Sequence, residues 1–298
     1  MSSPLRLIAE VSSNHDRSLD RSMRFIDVAV EVGFTAVKFQ LFRIDSLFSP
    51  EARSHNPSLD ERRAWELPEE FIAPLAARAH EQGIEFACTP FYLEAVGILE
   101  PHVDFFKVAS YELLWDDLIR ACAETGKPLI LSTGMATMDE VRHAVEVARD
   151  AGVVDLTLLH CVSAYPARPE DANLKAIDTM RREFDVEVGW SDHSVSVEVV
   201  ARAVRKWGAR TVEMHFDLDG TGAEFSSGHC WLPDSIRQLQ SQLSSDFNVP
   251  QSESDGSGEK VPTKAELEER RWRADRRDGL RPLIDREGKR DWIQKEAN

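Results

Sequence analysis

Only four of the 298 residues are cysteine, and no two of them are spaced closely as in C-x-x-C. Cys88, Cys122, Cys161 and Cys230 therefore offer neither a disulfide framework nor a compact thiolate metal site, and a reducing compartment is the default. No apolar run approaches the roughly 18 residues a membrane-spanning helix needs, and no signal-like stretch opens the chain, so a cytoplasmic protein is expected. Basic charge is also short. With 36 Lys and Arg against 52 Asp and Glu, the net charge of −16 argues against nucleic acid as a partner and serves solubility instead.

What the chain does have is a strand-then-helix unit repeated eight times from Leu5 to about Leu243. Parallel strands buried on both faces read as short, nearly continuous apolar runs. Such runs occupy Leu5 to Val11, Ala36 to Phe42, Ile84 to Phe91, Phe105 to Ser110, Pro128 to Thr133, Leu156 to Val162, Val186 to Ser191 and Thr211 to Phe216. Helix-period segments follow at Arg17 to Glu31, Pro68 to Gln82, Leu93 to Glu100, Leu113 to Glu124, Met138 to Ala151, Leu174 to Glu183, Val195 to Trp207 and Leu232 to Leu243. Several end at a glycine in the position where a helix usually stops: Gly33, Gly83, Gly126, Gly152 and Gly208. Eight such units in about 240 residues favour an α/β chain closed into a (β/α)8 TIM barrel over an open doubly wound sheet.

In such a barrel the C-terminal strand ends converge, so residues far apart in sequence form one constellation. Strand one ends at Glu10, before Ser12, Asn14 and His15; strands two and four carry Lys38 and Lys107. Two lysines in one layer, with hydroxyls and Gly134 beside a helix start, point to an anion site. His193 and His215 end neighbouring strands and point to a metal; imidazole beside carboxylates suits Mn, Fe, Co or Zn better than Ca or Mg alone. Glu10 is the acid/base candidate, placed ahead of Glu213, which is expected to point outward. The seven tryptophans are read as packing residues.

With those residues in order, the sequence resembles the sialic acid synthase family, phosphoenolpyruvate-condensing enzymes that make 2-keto-3-deoxy sugar acids. The resemblance spans about Leu5 to Trp231. It rests on Ile8-Ala9-Glu10 with Asn14-His15, Val37-Lys38-Phe39-Gln40, Cys88-Thr89-Pro90-Phe91, Phe106-Lys107-Val108-Ala109-Ser110, Leu131-Ser132-Thr133-Gly134-Met135, Leu159-His160-Cys161 with Tyr165-Pro166, Gly189-Trp190-Ser191-Asp192-His193 and His215-Phe216. It implies that Lys38, Gln40, Thr89, Lys107, Ser110, Ser132 and Ser191 hold the phosphate and carboxylate of phosphoenolpyruvate. His193 and His215 would hold a divalent metal, manganese in the first place, with magnesium or cobalt as alternatives. Glu10, Lys107 and Tyr165 are the implied catalytic residues, and Phe91 and Glu112 lie by the substrates. The reaction implied is condensation of phosphoenolpyruvate with an aldose and release of phosphate.

The chain also departs from the family pattern. Ser163 stands where an Asn is usual in the sugar-contacting loop, and Met214 where Lys or Arg is usual. The loop Gly220 to Trp231, with Glu224 as a substrate-binding candidate, differs from the usual Gly-Pro-Asp type. No antifreeze-like domain is recognisable after the barrel (residues 1–243). Residues 244–263 read as a flexible linker and 264–298 as a charged tail, helical around Ala265 to Arg277. This tail has a net charge of +2, so the residues before it sum to −18. Either this helix is solvated and salt-bridged, or its Arg270, Arg271, Arg273, Arg276 and Arg277 reach over the barrel mouth, for which the loop Gly220 to Trp231 is the other candidate cover. Phosphoenolpyruvate and an aldose are the expected partners, with a homodimer as the candidate assembly. Two alternatives stand beside this reading: a Schiff-base lyase using Lys38 or Lys107, and a non-catalytic protein that binds sugar acids.

Overall fold

In the computed structural model, which describes residues 4–245 and 252–284, eight parallel strands close in sequence order into a barrel. They are β1 (Arg6–Glu10), β2 (Ala36–Leu41), β3 (Glu85–Pro90), β4 (Phe105–Val108), β5 (Leu129–Ser132), β6 (Leu156–Cys161), β7 (Glu187–Asp192) and β8 (Thr211–His215). Closure comes from β1 pairing with β8, in a register that sets Glu10 beside His215; on the other side of β1, Glu10 lies beside Lys38.

Side chains alternate along a strand, so inward positions are two residues apart. Ile8, Ala36, Ala87, Phe105, Ile130 and Leu159 form an apolar floor inside the barrel. Two residues further along the same strands stand Glu10, Lys38, Thr89, Lys107, Ser132 and Cys161. The polar layer is thus the next inward layer, resting on a dry one. On β7 the floor position is Gly189, where a Cβ would come within 2.0 Å of the Thr211 carbonyl oxygen, so no side chain fits.

The outer ring is formed by α1 (Leu19–Val32), α4 (Ile72–Glu81), α5 (Leu93–Leu99), α6 (Asp116–Glu124), α7 (Met138–Asp150), α8 (Ala176–Phe184), α9 (Val197–Arg205) and α10 (Pro233–Ser244). Their ends follow capping chemistry. Ser18 accepts from the Arg21 amide to start α1, and Gly33, with φ 92°, ends it. Thr137 and Glu140 form a reciprocal capping box at α7. In α1 the buried face is Phe25, Ile26, Ala29 and Val32, each of the larger three stabilising by about 1.5–3 kcal/mol.

Two segments depart from the sequence expectation. After β2 the chain inserts the short helices α2 (Ile44–Leu47) and α3 (Pro50–His55) and a 3-10 segment, Pro57–Trp65, which seat Phe42, Ile44, Leu47, Phe48 and Leu59 in a small core of their own with Phe91. The second departure is the C-terminal part. Residues 252–263, expected as a linker, are seated on the barrel: Asp255 accepts from Arg202 (2.6 Å) and Trp207 (2.7 Å), and the Leu174 amide donates to the Ser254 carbonyl. Residues 246–251 and 285–298 lie outside the described residues.

The expected tail helix shrinks to α11 (Glu266–Glu269) and a 3-10 turn, Arg270–Trp272. Several of its charged side chains bind the barrel. Glu266 accepts from the Ser163 amide, Glu269 from the Tyr111 hydroxyl (2.6 Å), and Arg270 and Arg273 both bond Glu140 at 2.9 Å. Glu140 therefore caps α7 and anchors residues 252–284, a strap across the barrel mouth. Arg276 and Arg277 are exposed, and the strap arginine that reaches the cavity is Arg281, which was not among those expected there.

Candidate active site

The C-terminal mouth of the barrel holds a cavity of about 380 Å³, lined among others by Glu10, Lys38, Gln40, Phe91, Lys107, Ser110, Ser132, Tyr165, Ser191, His193, His215 and Glu224. That volume suits small-molecule substrates. Of the remaining candidates, Thr89 sits behind Lys38 and accepts its hydrogen bond at 3.0 Å, Glu112 is bound by Arg281, and the Ser163 amide is bound by Glu266.

At the floor lies a buried charge cluster. Lys38 touches Glu10 and lies 3.5 Å from Glu213; Lys107 lies 3.2 Å from Glu213, which also accepts from Ser191 at 3.0 Å. Glu213 thus faces inward, against the expectation that it points outward, because it is two residues from His215 and shares its face. The two carboxylates are not equivalent. Burial raises the pKa of Glu10 more than Lys38 lowers it, whereas at Glu213 the charges of Lys107 and Lys38 overcome burial and hold the carboxyl below its usual range. Two lysines and two carboxylates thus share the floor, with the Ser191 hydroxyl beside them.

Beside it, the Oγ atoms of Ser132 and Ser163 are buried without a hydrogen-bond partner. Such donors are costly to leave unpaired. Gly134, expected to offer its backbone N–H to an anion, instead donates it to Cys161 Sγ (3.1 Å), and its carbonyl accepts from the strap's Lys260.

Next to the charge cluster, at the end of β7, on β8 and in the loop after β8, three imidazoles converge. The His193 and His215 ring centroids are 5.4 Å apart, and those of His215 and His229 4.5 Å apart. The Tyr165 ring packs on His193 at 4.4 Å and His229 at 5.0 Å. Glu224 lies 3.2 Å from His215 and 3.8 Å from His229. Ligand atoms of His215, Glu224, His229 and Cys230 all lie within 4.8 Å of one another. This donor set fits a divalent transition metal. His193 Nδ1 must be the protonated nitrogen, since it faces the Val162 carbonyl at 2.7 Å, which leaves Nε2 with a lone pair. His229 Nδ1 is buried and unpartnered. Cys230 is the poorest donor, for burial pushes its thiol up to about 12.

Glu224 and His229 come from the loop after β8, which long-range bonds set in place. Asn14 accepts from the Glu224 amide (2.8 Å) and donates to the Phe216 carbonyl (3.1 Å), Ser12 donates to Glu224 (2.6 Å), and a Cβ on Gly222 would lie 2.5 Å from Asn14. His229 was legible only as a loop residue near strand eight. Arg62 and Trp65, from the insertion after β2, also line the cavity and were missed, because that stretch has no helical or strand period to mark it. Trp65 packs against the small core, as the tryptophans were expected to, and also lines the cavity.

Residues 25–253 match the NeuB family. The chain belongs to the NeuB family, that of the sialic acid synthases. Among its NeuB relatives, the pseudaminic acid synthase of Campylobacter jejuni subsp. jejuni is 35% identical over 255 residues, 80% of this chain and 74% of the relative. The N,N'-diacetyllegionaminic acid synthase of Legionella pneumophila subsp. pneumophila is 34% identical over 276 residues, 88% of this chain and 76% of the relative. The solved spore coat polysaccharide biosynthesis protein SpsE of Bacillus subtilis superposes with TM-score 0.77 at 30% identity, covering 91% of this chain and 78% of that one. The N-acetylneuraminic acid synthetase of Leptospira borgpetersenii, solved with citrate, gives 0.74 at 29% identity over 90% of each chain.

Proposed function

We propose that this NeuB protein condenses phosphoenolpyruvate with an aldose, releasing phosphate and giving a 2-keto-3-deoxy sugar acid. The observation that carries the proposal is that one cavity joins buried lysines and the unpartnered Ser132 hydroxyl to converging histidines and a carboxylate. The lysines and the hydroxyl suit a small dianion, because ammonium groups and hydroxyls in a dry site bind phosphate and carboxylate oxygens strongly.

In the reaction, C3 of phosphoenolpyruvate forms a bond to the aldehyde carbon of the acceptor, whose oxygen takes a proton. Water adds at C2, and phosphate leaves by cleavage of its bond to C2. The family resemblance gives manganese first place as the metal; a divalent ion held by His193, His215, Glu224 and His229 would supply Lewis acidity to the aldehyde oxygen. The protein's own residues do the positioning. Lys38 and Lys107 hold the donor's anionic oxygens. Glu10, its pKa raised by burial, is suited to give and take a proton at the reacting centre. Tyr165, stacked on His193 and His229, bounds the acceptor side.

The Schiff-base reading fares less well. It needs a neutral amine, but at Lys38 the attraction of Glu10 and Glu213 outweighs burial and raises the pKa, keeping the group an ammonium. The deciding experiment is a phosphate-release screen of aldoses with phosphoenolpyruvate and manganese, run beside borohydride trapping. Release with at least one aldose is expected. No release from any aldose, or a borohydride-stabilised adduct at Lys38 or Lys107, would sink the reading.

A further inference from the structure

The outer wall of the cavity carries two guanidinium groups that the chemistry at the floor does not use. Arg62 comes from the 3-10 segment after β2 and lies over the rings of Phe48 (5.8 Å) and Trp65 (5.4 Å). Arg281 comes from the strap and lies over Tyr111 (4.4 Å) and Phe91 (5.6 Å). Both line the cavity that holds the lysines and histidines. The two are tied to one stretch of backbone: Arg281 bridges to Phe48, its amide donates to the Leu47 carbonyl (2.9 Å), and its carbonyl accepts from the Ser49 amide (3.0 Å).

Their charges are only half matched. Glu112 accepts from Arg281 Nε at 2.9 Å, while no carboxylate lies within ion-pair distance of Arg62 among the described residues. Arg62 is exposed; Arg281 acts on it as a like charge, and Glu224 and Glu269 act as opposite ones. Arg281 gives its Nε and Nη2 to Glu112, so the N–H edge left unengaged by the described residues is that of Arg62, and such an edge matches two oxygens of a phosphate or carboxylate. The wall thus offers one guanidinium with no ion pair among the described residues, over two aromatic rings, in the cavity where an acceptor must sit.

We propose that Arg62 and Arg281 form an anion subsite of the acceptor, so that the preferred aldose carries a phosphate or carboxylate at the end remote from its aldehyde. The subsite rests on the condensing reaction proposed above and specifies its second substrate. It also explains why the strap enters the cavity at Arg281: one of the two cations is supplied only when residues 252–284 are docked.

The test uses the full chain with saturating phosphoenolpyruvate and manganese. It compares kcat/KM for a neutral N-acylhexosamine, the same sugar as its 6-phosphate, and the corresponding uronic acid. Expected is a preference of at least about 10-fold for one charged acceptor, with phosphate and carboxylate told apart by which of the two is favoured. Arg62→Met keeps the apolar stem and should cut that preference by about 10- to 100-fold, the range for losing a hydrogen bond to a charged group, through acceptor KM. Arg62 is the diagnostic position, because Arg281→Met would also loosen the strap. Turnover with the neutral sugar as good as with either charged one, in both wild type and Arg62→Met, overturns the subsite and leaves the condensing reaction standing. Phosphate release with no acceptor at all instead counts against the reaction, and calorimetry with inorganic phosphate then decides the subsite: equal affinity in wild type and Arg62→Met overturns it.

Discussion

The ammonium of Lys260 donates to the carbonyl oxygen of Gly134, across 126 residues of sequence, and is buried in doing so. Gly134 opens the loop between β5 and α7, where a Cβ would lie 2.3 Å from Ser163 Oγ and 2.6 Å from Ser110 Oγ. The strap is therefore fastened directly behind the serines of the donor side.

Lys260 acts through Gly134 and is a positioning residue, so its loss should show in substrate binding more than in folding. Lys260→Met should raise KM for phosphoenolpyruvate about 10-fold, equivalent to roughly 1.4 kcal/mol, with a smaller change in kcat. Lys260→Arg should recover part of the loss. An unchanged KM in Lys260→Met, with native circular dichroism, would show that the strap does not organise the donor side.

The histidine wall supplies a second prediction. His193→Ala, His215→Ala and His229→Ala should each lower the content of bound divalent metal and abolish phosphate release, since a site that loses one ligand or its support loses much of its affinity. His229 is the discriminating position, because it belongs to the donor set only through the fold of the loop after β8. Metal content by elemental analysis and turnover both equal to wild type in His229→Ala would exclude it from the site.

Strap docking should depend on acidity through Glu140. Burial pushes its carboxyl upward, but the hydrogen bond from Arg270 and the charge of Arg273 outweigh that and bring it down to about 2 from a usual 4.5. A depressed carboxyl contributes stability that is complete above the usual pKa and lost as pH falls through the folded one. The contribution, on the order of 3 kcal/mol at neutral pH, should thus disappear between about pH 4.5 and 2. Protection of the amides of residues 263–274 against hydrogen exchange, relative to their intrinsic rates at each pH, should fall over that window in wild type. Glu140→Gln should exchange fast already at pH 7, and protection equal to wild type in that variant would refute the anchor.

Much of the barrel was legible before folding was considered. Eight apolar runs at regular spacing have few ways to bury themselves other than as parallel strands covered by helices, and the helix-ending glycines, Gly33 among them, are local signals. The inward polar layer was legible for the same reason, since a period of two places Glu10 above Ile8 and Lys107 above Phe105. Applied consistently, that rule also places Glu213 on the face of His215, where the structure has it.

What only the tertiary structure decided are the contacts that no local period encodes. Arg62 and Trp65 reach the cavity from an aperiodic insertion, Glu224 is placed by bonds to Ser12 and Asn14 some 210 residues away with His229 beside it, and the strap gives up most of its helix. At Glu224 and along the strap a charged side chain satisfies a partner from a distant part of the chain. Local sequence records a residue's own helix or strand preference, whereas the choice of a distant partner emerges only when the closed barrel brings both ends to one place.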